Sequence, residues 1–175
     1  VLSEAGLPVQ QIQDKAPEFF LLMAEVAQEI YPCRGITACP GIDLLLSELR
    51  VRDDVVLGLL TGNAQPTAIL KLSAAAIDPD QFVVGAYGSE DLSRNNLPAI
   101  ALRRAKALTG LDVRGDNAVI IGDTLADIEC ARAGMARAVA VASGWHPIDV
   151  LEKGQPDFLF ADFGDTEAVL NALLA

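Results

Sequence analysis

The sequence predicts an α/β fold in which a parallel sheet is flanked by helices, with part of a small helical cap at the N-terminus. Short runs of Val, Ile and Leu recur without polar interruption, as in parallel strands that are buried on both faces. Helical segments separate these runs, and this alternation is typical of parallel sheets with right-handed crossovers. The stretch 31–41 contains two prolines and two glycines and predicts a linker. We therefore divide the chain into 1–35 and 36–175.

Composition narrows the class of protein. The 175 residues suffice for one ordinary domain and a small appendage. A net charge of −11 opposes broad attraction to nucleic acid, and no apolar run approaches the length of a membrane span. The three cysteines have neither zinc spacing nor a Cys-x-x-Cys pair, which indicates reduced thiols. We expect a soluble cytoplasmic protein without nucleic-acid or membrane partners, and the sequence leaves the oligomeric state open.

The first elements lead to a strand with polar residues at its end. Apolar side chains at three- and four-residue spacings predict helix within 4–30 and again at 42–49, and the apolar run 55–60 predicts a buried strand. Thr61, Gly62 and Asn63 follow this strand and precede a predicted helix at 66–76, an arrangement suited to phosphate. The same residue types also serve as ordinary turn and capping residues, and that alternative stays open.

A basic residue lies in the next loop. Residues 81–86 predict a strand and 98–108 a helix with proline in its first turn. Arg94 lies in the polar loop between them, where it can reach an anion at the mouth of the sheet. The alternative is an arginine exposed to solvent at the surface.

The run at 119–121 is the strongest strand signal, and it ends in a carboxylate. Asp123 is expected at the carboxyl end of this strand, where ligands bind in open α/β sheets, so it can hold a cation. Asp127 faces the same mouth if a helix occupies 124–133. Thr124 and Asp127 also match a helix-capping pattern, so Asp127 has a purely structural alternative.

The rest of the chain completes the alternation. A strand is predicted at 138–142, a short strand at 158–160 and a closing helix at 166–174. The single histidine, His146, lies in the loop after the strand at 138–142, and its role is open. The elements together predict a Rossmann-like sheet.

Three motifs in order resemble those of the haloacid dehalogenase-like hydrolases. They are the Leu-Leu-Thr-Gly-Asn run ending at Asn63, the basic Arg94 before a helix that begins with proline, and the Ile-Ile-Gly-Asp-Thr-Leu-Ala-Asp run ending at Asp127. The resemblance covers about 36–175, and the leading helices resemble the end of that family's helical cap. Arg94 departs from the usual lysine followed directly by proline, because its helix proline comes four residues later.

The resemblance implies a Mg²⁺-dependent phosphatase of the phosphoglycolate phosphatase branch, acting on a small phosphorylated metabolite. It implies that Thr61 binds phosphoryl oxygens with its hydroxyl and the neighbouring amides, and that Arg94 neutralises developing charge. Asp123 would ligate magnesium, and Asp127 would ligate it or orient its shell. These roles suit phosphoryl transfer, where positioning and charge neutralisation dominate.

The family's first motif, an apolar strand ending in Asp-x-Asp, does not occur in this sequence. Asp78 and Asp80 have the spacing but lie in a proline turn, and Asp165 is more simply a helix cap. Without the nucleophile, the residues can hold phosphate but cannot form the aspartyl intermediate. A non-catalytic anion-binding or regulatory module is therefore the alternative function.

The position of the missing strand leads to a prediction about the fold. In the family it lies between the strands at 55–60 and 118–121, and its loss would leave two inner edges with unpaired backbone groups. We expect an N-terminal segment of about 10 to 20 residues to supply it, and the two strands to lie about 10 Å apart. The alternative is a direct ladder between them.

Overall fold

The computed structural model describes Gly6, residues 8–91 and residues 93–175. Its helices and strands alternate as predicted after an initial pair of helices. The helices are α1 (Val9–Arg34), α2 (Ile42–Arg50), α3 (Gln65–Ala74), α4 (Leu97–Thr109), α5 (Leu125–Ala133), α6 (Ile148–Lys153) and α7 (Thr166–Leu174). The strands are β1 (Gly58–Thr61), β2 (Val84–Tyr87), β3 (Val119–Gly122), β4 (Arg137–Val141) and β5 (Phe158–Phe160). This confirms the predicted α/β class.

All strand pairs are parallel, but they form two sheets. β1 pairs with β2, and Thr61 lies opposite Tyr87. β3, β4 and β5 form the second sheet in that order, with β4 in the middle. No ladder joins β1 to β3 in the part of the chain that the structure describes. The direct pairing given above as the alternative is therefore wrong, whereas the inserted strand stays a prediction.

The core lies on both faces of β4. Its Val139 and Val141 pack with apolar side chains of α2 and α7, and its Ala138 and Ala140 pack with those of α5 and α6. The strand is buried along most of its length, which explains why its sequence shows no polar alternation. By contrast, Ile121 of β3 remains 37% exposed. β3 therefore has an uncovered apolar side chain close to the site described below.

Two boundaries differ from the prediction. The predicted linker at 31–41 is wrong at its start, because α1 continues through Pro32 and ends only at Gly35, which has a left-handed conformation. Pro32 lies in the last turn, where the chain leaves the helix. The predicted strand 55–60 is regular only from Gly58, where β2 begins to pair with it. The part of the predicted first helix at 4–5 and 7 lies outside the described residues.

α1 packs against α3, and much of its apolar surface is exposed, including Leu21, Leu22 and Val26. The division into 1–35 and 36–175 stays a prediction. Among the described helices, none combines the length and the apolar character needed to cross a membrane.

Candidate active site

The carboxyl ends of β1 and β3 open into one mouth, although no ladder joins the strands. A guanidinium nitrogen of Arg94 lies 3.8 Å from the position that a Cβ on Gly62, directly after β1, would occupy. The same guanidinium donates a hydrogen bond to Oδ1 of Asp127, in the first turn of the helix that follows β3. Arg94 therefore lies between the turn that follows β1 in one sheet and the helix that follows β3 in the other.

Thr61, at the end of β1, closes the turn that follows it. Its Oγ1 accepts hydrogen bonds from the backbone N–H of Asn63 at 3.1 Å and from Nδ2 of Asn63 at 3.0 Å. The hydroxyl thus serves the turn as an acceptor, and its own proton can still be donated to an anion. α3 begins nearby without a side-chain cap, so its N-terminus adds a favourable field for negative charge.

Arg94 has a partly buried side chain. It lies in a short 3-10 turn before α4, and its side chain is 34% exposed. Its Nε is buried and has no hydrogen-bond partner in the described structure. Nη2 is paired with Asp127, and Nη1, which lies toward Gly62, is the nitrogen that could donate to an anion.

Asp127 is 6% exposed and both of its carboxylate oxygens are engaged. Oδ2 accepts from the backbone N–H of Asp123 at 3.1 Å, and from the N–H and hydroxyl of Thr124 at 2.9 and 2.6 Å. Oδ1 accepts from Arg94. Thr124 and Asp127 form a reciprocal capping box at the start of α5. In this arrangement Asp127 caps a helix and anchors Arg94, and its predicted role at a metal stays a prediction.

Asp123 follows β3, and its side chain is only partly engaged. Its Oδ2 accepts from the backbone N–H of Trp145 at 2.6 Å, and Oδ1 has no hydrogen-bond partner among the residues described. One carboxylate oxygen suits one position around a magnesium ion. The described residues contain no group of three or more His, Cys, Asp or Glu side chains that could hold a metal. Asp123 therefore fits as one ligand, and the chain as described does not complete a site.

Other candidates have structural roles. The Asp78 carboxylate accepts from the N–H of Asp80 in a proline-containing turn, as the sequence indicates. Asp165 caps α7 by accepting from the N–H of Ala168 at 3.1 Å. Burial raises the pKa of the Cys130 thiol, which donates to the carbonyl of Arg94 at 3.3 Å. This cysteine is a packed thiol that supports the turn carrying Arg94.

The role of the loop after β4 was left open by the sequence, and the structure shows that this loop contacts Asp123. The N–H groups of Trp145 and His146 both donate to Asp123, and His146 also contacts the start of α5. Parallel pairing of β3 with β4 puts the loops that follow them at the same edge. No local residue pattern marks this loop as part of the site. It could have been identified only from the expectation that β4 pairs with β3.

Comparison with known proteins finds one matching family model and several solved structures with a similar fold. Residues 98–166 match the HAD-hydrolase-like family. A predicted phosphoglycolate phosphatase from Haemophilus somnus has a similar structure, with 21% identity and a TM-score of 0.62, covering 75% of this chain and 56% of that one. No curated protein matches the sequence.

Two further solved structures are similar over most of the chain. A haloacid dehalogenase-like family hydrolase from Streptococcus pneumoniae is 23% identical, with a TM-score of 0.64, over 94% of this chain and 72% of that one. CbbY from Rhodobacter sphaeroides, solved in complex with xylulose-(1,5)bisphosphate, is 24% identical, with a TM-score of 0.61, over 91% of this chain and 66% of that one.

The family match over residues 98–166 supports the resemblance to haloacid dehalogenase-like hydrolases that the motifs predicted, and the solved structures, each less than 25% identical, share the fold. The chain spans 56% to 60% of the length of three of the phosphatase structures that it matches.

Proposed function

We propose that this chain is the larger part of a magnesium-dependent phosphatase that hydrolyses a small phosphate monoester. The observation that carries the proposal is that Arg94 lies beside the turn after Thr61 and binds Asp127, whose carboxylate also accepts from the N–H of Asp123. A hydroxyl, a guanidinium and a partly free carboxylate are the groups that phosphoryl transfer needs for binding, charge neutralisation and cation ligation. The similarity to solved phosphatases supports the same reaction class.

Each residue has a distinct part in this proposal. The Thr61 hydroxyl donates to a phosphoryl oxygen, with Gly62 and Asn63 shaping the turn that holds it. Arg94 brings positive charge to the equatorial oxygens, and the Asp127 carboxylate fixes its orientation. Asp123 supplies one ligand to Mg²⁺, which when bound would offset negative charge on the phosphoryl group.

The nucleophile belongs to a strand between β1 and β3. Three observations support this placement: the two strands share no ladder, their carboxyl ends meet at Arg94, and Ile121 stays exposed beside the opening. A carboxylate at the end of such a strand would face both Thr61 and Asp123. We place it in a segment of the same polypeptide preceding residue 1.

The test is a screen of small phosphate esters with a longer polypeptide that includes the residues encoded upstream. We expect magnesium-dependent phosphate release that Asp123→Asn lowers by at least about a thousandfold, since the ion would lose a negatively charged ligand. Asp53→Asn, at an exposed position away from the mouth, is the matched control and should leave the rate unchanged. Absence of release from every ester would overturn the proposal.

The alternative, a non-catalytic anion-binding module, has its own supporting observation. Both oxygens of Asp127 are engaged and Asp123 has one oxygen free, so the described residues do not by themselves complete a metal site. If the longer polypeptide has no activity but the chain binds inorganic phosphate in a Thr61-dependent way, this reading is preferred. A cytoplasmic location and the absence of nucleic-acid partners remain parts of the proposal, consistent with the charge of −11.

A further inference from the structure

The loop formed by residues 143–147, here called the rim loop, holds Asp123 by both its main chain and its side chain. The N–H of Trp145 donates to Oδ2 of Asp123 at 2.6 Å, and the N–H of His146 donates to the Asp123 carbonyl at 3.2 Å. Trp145 itself is 83% exposed, so it is the backbone of the loop and not the indole that is fixed here.

The rim loop also accepts a hydrogen bond from the start of α5. The N–H of Leu125 donates to Nδ1 of His146 at 3.2 Å. Leu125 is the first residue of α5, and the N–H groups of a first helical turn have no acceptor within the helix. Thr124 and Asp127 satisfy each other's N–H groups in the capping box, and the imidazole satisfies that of Leu125. An accepting Nδ1 requires that the neutral ring carry its proton on Nε2.

The close approach of the rim loop depends on a glycine. A Cβ on Gly144 would overlap the Asp123 carboxylate and leave it no room in its present position. A side chain at 144 would therefore push apart the two groups that the hydrogen bonds hold together. Loop, carboxylate and helix start thus form one interlocked unit.

We propose that His146 is a positioning residue: by accepting the Leu125 N–H it docks the rim loop on α5 and so fixes the Asp123 carboxylate. The hydrogen bonds described above support the docking. Its effect on catalysis rests on the proposed phosphatase function, because Asp123 is the residue proposed to ligate the cation. His146 does not touch the reacting atoms in this account, and it acts through Asp123.

The docking can be measured by NMR, which does not depend on enzymatic activity. The chain contains one histidine and one tryptophan, so the signals of these two residues are assigned without ambiguity. Selective ¹⁵N labelling gives the imidazole signals of His146 and the backbone amide of Trp145. At a pH of about 8.5, where an ordinary imidazole is neutral, we expect the Nε2–H tautomer. The Trp145 amide proton should resonate downfield, as expected of a short bond to a carboxylate. The Nδ1–H tautomer would overturn the proposal.

Two variants separate docking from general damage to the fold. His146→Asn keeps an acceptor near the position of Nδ1 and should retain the downfield Trp145 amide, whereas His146→Ala should lose it. Glu152→Gln, at an exposed position on α6, is the control and should leave the amide unmoved. An unmoved amide in His146→Ala would refute the docking.

The effect of His146 on catalysis is measured with the longer polypeptide that includes the residues encoded upstream. His146→Ala should lower kcat about tenfold with KM within about twofold, because a displaced Asp123 affects the transition state more than substrate binding. His146→Asn should recover most of this loss. An unchanged kcat in His146→Ala would refute the catalytic part. An inactive parent protein would contradict the proposed function, and the NMR results alone would then decide whether His146 holds Asp123.

Discussion

Replacing Arg94 with methionine tests the link that its ion pair makes with Asp127. Met keeps most of the apolar stem and removes the guanidinium, which leaves Oδ1 of the buried Asp127 without its partner. Oδ2 keeps its three donors from Asp123 and Thr124, so the carboxylate is not fully orphaned. A hydrogen bond to a charged group contributes about 1.5–3 kcal/mol. Since the Arg94 side chain is 34% exposed, we expect a loss of about 2 kcal/mol in the free energy of unfolding.

Urea unfolding at neutral pH, followed by circular dichroism, measures this loss. For a chain of this length about 2 kcal/mol corresponds to a fall of about 6 °C in Tm. A double-mutant cycle with Asp127→Asn should give a coupling energy of about 1–2 kcal/mol, because each single change removes the same contact. Arg103→Met, on the exposed face of α4, is the control and should stay within about 0.5 kcal/mol of the parent. A coupling energy of zero, with Arg94→Met no worse than the control, would refute the link.

Two further predictions concern single side chains. The hydrogen-bonded Arg104 guanidinium holds the pKa of Glu90 below its usual value, so ionised Glu90 stabilises the folded chain above the unfolded-state pKa and ceases to do so as the pH falls through the folded-state pKa. Glu90→Gln should therefore flatten the acid side of a urea-midpoint profile, and an unchanged profile would contradict this. Iodoacetamide should alkylate the exposed Cys33 in the native chain and reach the buried Cys130 only in urea, as peptide mass spectrometry would show. Equal native rates at the two thiols would show the burial argument wrong.

The buried strands could be predicted because burial on both faces removes polar alternation. β3 and β4 differ from their predicted ranges by about one residue, and β5 and α7 have the predicted bounds. β1 is shorter than its apolar run because regular structure requires a pairing partner, and β2 runs beside only part of it. The end of α1 differs from the prediction because the helix continues through Pro32, although proline lacks the N–H that would bond to the carbonyl four residues earlier. The packing of α1 against α3 favours this continuation.

The site residues that directly follow strands could be predicted from the sequence, but the contacts between them and the neighbouring loops could not. Thr61 and Asp123 were identified because ligands bind at the carboxyl ends of parallel strands. The pairing of Arg94 with Asp127, 33 residues apart, could not be inferred from spacing, since it depends on how the 3-10 turn packs on α5. The contact between His146 and Leu125 depends in the same way on two loops meeting at one edge of the sheet.

The most direct test of the central claim is a crystal structure of the chain soaked with tungstate, an anion whose scattering distinguishes it from water. If β1 and β3 open into one phosphate-binding mouth, the tungstate should lie between their carboxyl ends, within hydrogen-bond distance of the Thr61 hydroxyl and the Arg94 guanidinium. Tungstate bound only elsewhere on the chain, with this mouth holding water, would contradict the account.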